Sequence, residues 1–162
     1  MSEQIDLATA ATRVRVLATM LSLGGRLDLW SMVLAAIALA SLLGLALPIA
    51  SDIGLLLSFL AGGAQKILAM RVALDEALFR HWAESWRSDA FRDSESISMD
   101  EDMAMLDKAL AACGLRESSD GVLRTLEHRM RGAGNLLKLQ VFVFAFQFTA
   151  LMLAALVLIH FF

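Results

Sequence analysis

The chain has 162 residues, is 58% hydrophobic and 19% charged, and carries a formal net charge of −3. Soluble domains use about 45–50% apolar residues, so the composition argues against a water-soluble globule, and the weakly acidic balance gives no electrostatic footprint for nucleic acid. A single cysteine, Cys113, excludes an internal disulfide framework and any CxxC metal or redox motif.

Residues 1–26 form a charged, mixed stretch before the first apolar run, and that run is too long for the hydrophobic region of a signal peptide. The first run is therefore expected to remain as an uncleaved anchor. Within the stretch, residues 4–23 read as an amphipathic cytoplasmic helix. Ile5, Ala8, Thr12, Val16 and Leu23 share its stripe, Arg13 and Arg15 lie off it, and Gly24-Gly25 is expected to break it from the first span.

Two apolar runs come next, about residues 27–47 and 53–70, joined by a tight turn around Pro48 and Asp52. Each is close to the roughly 20 residues that cross a bilayer. Asp28 sits where a carboxylate suits a helix N-terminus, and Trp30 where an indole suits the membrane interface. Ala36, Ala40 and Gly44 in the first run, and Gly54, Ser58 and Gly62 in the second, recur at every fourth residue. Such stripes let helix backbones approach closely in lipid, so the two runs are expected to pack as a hairpin. Ser51 or Asp52 is expected to cap the second span.

The second helix is expected to continue past the membrane to about Arg87, some 50 Å in all, with Lys66 snorkelling at the inner interface. Ile67, Met70, Leu74, Leu78, His81 and Trp82 would form its apolar stripe, and Arg71–Asp75, Glu76–Arg80 and Arg80–Glu84 its ion pairs. An acidic loop comes after it at residues 88–102, where Asp93, Glu95, Asp100, Glu101 and Asp102 offer a docking strip for a basic partner. The spacing and glycine of an EF-hand are missing from it. Ser98 and Glu101 make a capping box, opening a helix with Met103, Leu106, Leu110 and Cys113 on one face. A further helix starts at Ser119 or Asp120. Gly132 and Gly134 then interrupt the chain and suggest a hinge, since each glycine costs about 1 kcal/mol of helix propensity relative to alanine.

The last run, residues 136–162, alternates Phe142, Phe144, Phe146 and Phe148 like a strand. A lone strand cannot satisfy its backbone in lipid, so a helix is expected. Gln140 and Gln147 lie seven apart, in line with Ala154, and should face protein, with Gln147 as hydrogen-bonding glue.

His81, His128 and His160 match no zinc spacing, and neither a P-loop nor a Ser–His–acid constellation stands out. The reading has no catalytic residue, metal or cofactor, and infers no small-molecule substrate. All 14 Lys and Arg residues avoid the hairpin turn, which places the N-terminus in the cytoplasm and the C-terminus outside. The fold expected is an all-α membrane protein, with three transmembrane helices (hairpin plus C-terminal span) and a cytoplasmic helical bundle within residues 71–135 formed by helix extensions.

Much packing signal and no reactive constellation point to a non-enzymatic structural or accessory subunit of an inner-membrane assembly. Its partners would be the lipid bilayer and itself or another membrane protein. The abundance of arginine and alanine fits a bacterial source. A homo-oligomeric pore, including a lysis-type pore, and a membrane-anchored regulator acting through the acidic loop are the alternatives.

Overall fold

The structure, a computed structural model, describes residues 2–44, 48–89, 101, 103–105, 108 and 125–161. Four helices account for nearly all of them: α1 (Ser2–Leu21), α2 (Leu23–Gly44), α3 (Ile49–Asp89) and α4 (Leu126–Phe161). No strand occurs among the described residues. Three helical stretches, ending at Gly44, Arg87 and His160, are long and apolar enough to cross a membrane. The phenylalanine alternation thus resolves as helix, with Phe142, Phe146 and Phe148 exposed around it.

The central element is α3, which is the most extensive neighbour of each of the other helices. Its 41 residues make a rod of about 60 Å. Position Gly54 meets Ala150 and Ala154, while Gly62, further along α3, meets Gln147, so α3 runs antiparallel to α4. Residues Ser51, Ser58, Gln65, Val72, Phe79 and Trp86, spaced by seven, are each no more than 2% exposed. On α4 the same spacing buries Ala133, Gln140, Gln147 and Ala154. A strict seven-residue repeat keeps one seam facing its partner only if the helices coil left-handedly about one another.

Several local expectations give way here. The join between α1 and α2 is the single residue Ser22, whose N–H donates to the Ala18 carbonyl at 3.1 Å; Gly24 and Gly25 lie inside α2. The buried stripe of α1 is Ala11, Val14, Ala18 and Leu21, while Val16 and Leu23 are half exposed and Ala8 and Thr12 face outward. The small alanines win that face because they share a core with the large Phe79, Trp82 and Trp86.

The stripe of α3 is likewise displaced. Ile67, Met70 and Leu74 are 63%, 67% and 55% exposed, and the buried face is set by Ala69, Val72, Phe79, Trp82, Ala83 and Trp86. Phe79 meets Trp82 edge-on and Trp82 stacks on Trp86. Arg129 of α4 lies over the Trp82 ring. Among the described residues, Glu76–Arg80 is the one of the three expected ion pairs that closes.

At the hairpin, α3 begins at Ile49, and the Pro48 carbonyl accepts from the N–H groups of Ser51 and Asp52 at 2.9 and 3.2 Å. Pro48 thus holds the cap position expected for Ser51 or Asp52. The Ser51 hydroxyl donates instead to the Ala154 carbonyl of α4 at 3.3 Å. Lower in the molecule, α4 runs through Gly132 and Gly134 without interruption. Ala133 between them is buried, and packing there offsets the propensity that the two glycines cost. Asp93, Glu95, Asp100, Asp102, Cys113 and the helix starts at Ser98 and Ser119 lie outside the described residues. Glu101 is helical and exposed.

Candidate functional site

Where α2, α3 and α4 meet, the buried positions are mostly polar or small, with Leu55 packed between Ala38 and Ala154. Serines 31, 51 and 58 and glutamines 65, 140 and 147 are all at most 1% exposed. Two of them form a reciprocal lock between α4 and α2. Gln147 Nε2 donates to the Ser31 carbonyl at 2.9 Å, and the Ser31 hydroxyl donates to Gln147 Oε1 at 2.5 Å. One heptad away, Gln140 Nε2 donates to the Gly24 carbonyl at 2.8 Å. Each amide therefore reaches a neighbouring helix, as a polar group in an apolar surround must if it is not to cost free energy.

Glycines make the approach possible. A Cβ on Gly24 would meet Gln140 Oε1 at 2.7 Å and a Val72 methyl at 2.8 Å. A Cβ on Gly62 would meet the Ala35 Cβ at 2.7 Å and Gln147 Nε2 at 3.1 Å, and one on Gly54 would meet the Ala154 Cβ at 3.0 Å. No side chain larger than hydrogen fits at Gly24 or Gly62 without movement of a neighbour. Of the α3 positions with four-residue spacing, Gly54 therefore sits against α4, Ser58 is buried, and Gly62 sits between α2 and α4.

The matching α2 set is placed differently. Ala36, Ala40 and Gly44 lie on the exposed side of α2, and a Cβ on Gly44 would meet nothing within 4 Å. The inward face of α2 is Ser31, Ala35, Ala38 and Leu42, with Ala38 completely buried. The physical reason is the side of α2 that carries Ser31, which Gln147 draws inward. Gly132 and Gly134 have open space beside them, with no atom within 4 Å of an added Cβ.

At the lower end of the seam an ion pair spans α2 and α3. Lys66 Nζ donates to Asp28 Oδ2 at 2.7 Å, with the lysine half exposed and the aspartate largely covered. With α2 starting at Leu23, Asp28 serves as a cross-helix counterion and not as a first-turn cap. Gln65 beside it differs from Gln147, whose amide is bonded through both its nitrogen and its oxygen. Both amide atoms of Gln65 are buried without a hydrogen-bond partner, as are Ser58 Oγ, Gln140 Oε1 and Asp28 Oδ1. Below the seam, Asp75 on α3 has its carboxyl pushed above the usual carboxylate range by burial, against the opposing pull of Arg129 and Arg71.

The spacing of Gln140 and Gln147 is readable in the sequence. Gln65, Ser31 and Gly24 do not stand out there one by one, although Ser51, Ser58 and Gln65 repeat with the same interval of seven. Chemically, the seam can bond helices in register. Among the described residues no three His, Cys, Asp or Glu side chains gather as metal ligands. Comparisons of the chain with known protein families, with curated proteins and with solved structures find no match.

Proposed function

We propose that the chain is a non-enzymatic accessory subunit of a bacterial inner-membrane protein assembly, oligomeric, with a cytoplasmic N-terminus and an external C-terminus. The orientation is supported by the basic residues, none of which lies in the turn between the first two spans. The observation that carries the functional reading is the outward apolar row Ile67, Met70 and Leu74. It begins just past the Asp28–Lys66 pair, at the end of the second apolar run, and continues into the stretch of Arg71 and Asp75, where charged side chains flank it. Apolar side chains exposed in such company mark a surface that another protein covers. The accessory reading also gains support over a pore. Gln65, Gln140 and Gln147 are buried within one chain, leaving apolar side chains to face outward from the spans.

The test is site-specific photocrosslinking in the host membrane from Met70, with Phe142 as the lipid-facing control. Native mass spectrometry of the mildly extracted protein then identifies the adduct. A second polypeptide crosslinked from Met70 and not from Phe142 supports the proposal. A mass at integer multiples of 17.6 kDa, together with conductance in planar bilayers, replaces it with a homo-oligomeric pore.

A further inference from the structure

A sizeable cleft lies between α1 and α3, at the opposite end of the molecule from the hairpin. Its volume is about 410 Å³ and it is lined by Arg15, Thr19, Ser22, Arg80, Glu84 and Arg87, with Ala18 and Ala83 also on its wall. Both alanines are buried in the aromatic core, so the wall they form is rigid. Three guanidinium groups gather here in a chain whose net charge is −3. Arg80 pairs with Glu76 and is 60% exposed, and it also lines the cleft. Glu84 is the one acidic side chain on the wall. The Thr19 and Ser22 hydroxyls donate to the Arg15 and Thr19 carbonyls at 2.9 and 2.7 Å, which aims their lone pairs outward and leaves anion recognition to the arginines.

From these residues we propose that the α1–α3 cleft binds a phosphate-bearing anion, held by Arg15 and Arg87 with Arg80 in support. Guanidinium forks match phosphate oxygens in pairs and hold their charge at every accessible pH. The volume falls in the range of small-molecule sites, about 300–1,000 Å³, and exceeds what a lone inorganic ion fills. Depth favours a soluble ligand over a lipid headgroup. Arg80 lies 14 residues past Lys66 on one continuous helix, about 21 Å further from the spans. Because the cleft is walled by two helices, the bound anion ties α1 to α3. The subunit proposed above would then carry a ligand-sensitive joint, a role that stands whether or not the partner surface on α3 is real.

The experiment is isothermal titration of the full chain with pyrophosphate, in nanodiscs of phosphatidylcholine alone and in nanodiscs containing phosphatidic acid. The expected result is saturable binding in the zwitterionic discs, weakened at least tenfold by Arg15→Gln with Arg87→Gln. Glu84→Gln is expected to tighten it severalfold, because removing a negative wall group favours an anion and nothing else. Glu84→Gln also carries the test if the double variant does not fold. Binding lost in phosphatidic-acid discs, with the same arginine dependence, identifies a lipid phosphate as the occupant and supports the same site. Pyrophosphate heats that are absent, or unchanged by both variants, overturn the proposal.

Discussion

The two halves of α3 keep one register and fill it oppositely. From Ser51 to Gln65 the seventh residues are Ser51, Ser58 and Gln65; from Val72 to Trp86 they are Val72, Phe79 and Trp86. The side chains facing outward change from apolar to mixed, with Leu74 still exposed among charged neighbours. Ile53, Leu56, Leu57 and Leu60 are exposed in the first half, whereas Arg80, Glu84 and Arg87 are exposed in the second. In water, apolar side chains associate because burial removes them from solvent. In lipid that force vanishes between helices, and close packing with hydrogen bonds takes its place. The switch between Gln65 and Val72, where Lys66 meets Asp28, is the change expected of a helix that passes from lipid into water.

That contrast predicts unequal responses to substitution. Trp86→Ala removes the more deeply buried of the two tryptophans in the aromatic core and should cost about 3–5 kcal/mol, read as a shift in the midpoint of denaturant unfolding in detergent micelles. Gly62→Leu should cost about 1–3 kcal/mol through overpacking, because Ala35 and Gln147 already occupy the space. Its signature is loss of α2 from the bundle, seen as protease access near the hairpin while tryptophan fluorescence of the lower core is kept. A Gly62→Leu protein that unfolds both halves together would show that the halves are one cooperative unit.

Within the seam the two kinds of amide should differ in sign. Gln147→Leu breaks the lock with Ser31 and leaves that hydroxyl without its acceptor; the loss should be about 1 kcal/mol. Gln65→Met removes two buried amide atoms that have no partner and should be neutral or stabilising by up to about 1 kcal/mol. Equal destabilisation by both would mean that Gln65 bonds to something in the membrane.

The smallest effect belongs to Asp75. Its raised carboxyl value means that the folded state holds the proton more tightly than the unfolded chain. Stability should therefore fall as pH rises from the ordinary value of about 3.8 through the raised folded value, and level off above it. Asp75→Asn should flatten that slope in unfolding midpoints taken between pH 3.5 and 7, a window set on the order of the ordinary carboxylate range.

The existence of the long helices was legible from run length alone, because crossing a bilayer sets a minimum number of apolar residues. Their faces were harder to read. In α1, apolar residues stand on more than one side, so Ile5-Ala8-Thr12-Val16 competed with Ala11-Val14-Ala18-Leu21, and only the bulk of Phe79, Trp82 and Trp86 on another helix decides between them. In α2 nearly every residue is apolar or small, so periodicity carries little information there, and Ala36, Ala40 and Gly44 looked as inward as Ala35 and Ala38. The polar residues were the better guide: Gln140 and Gln147 stood out against their surroundings. Glycine was ambiguous for a physical reason. The same lack of a side chain that weakens a helix at Gly132 lets Gln140 reach the backbone at Gly24, and the sequence does not record what stands opposite.

Because α3 is a single rod that serves both cores, its rotation is a shared variable. Turning it by one residue's worth, about 100°, would carry Gln65 and Ser58 into contact with lipid and at the same moment lift Phe79 and Trp86 out of their alanine-lined bed. Under that rotation the two halves repack together. A rotation begun at the hairpin is felt at the α1–α3 cleft as a twist, and a rotation resisted at the cleft is resisted at the hairpin.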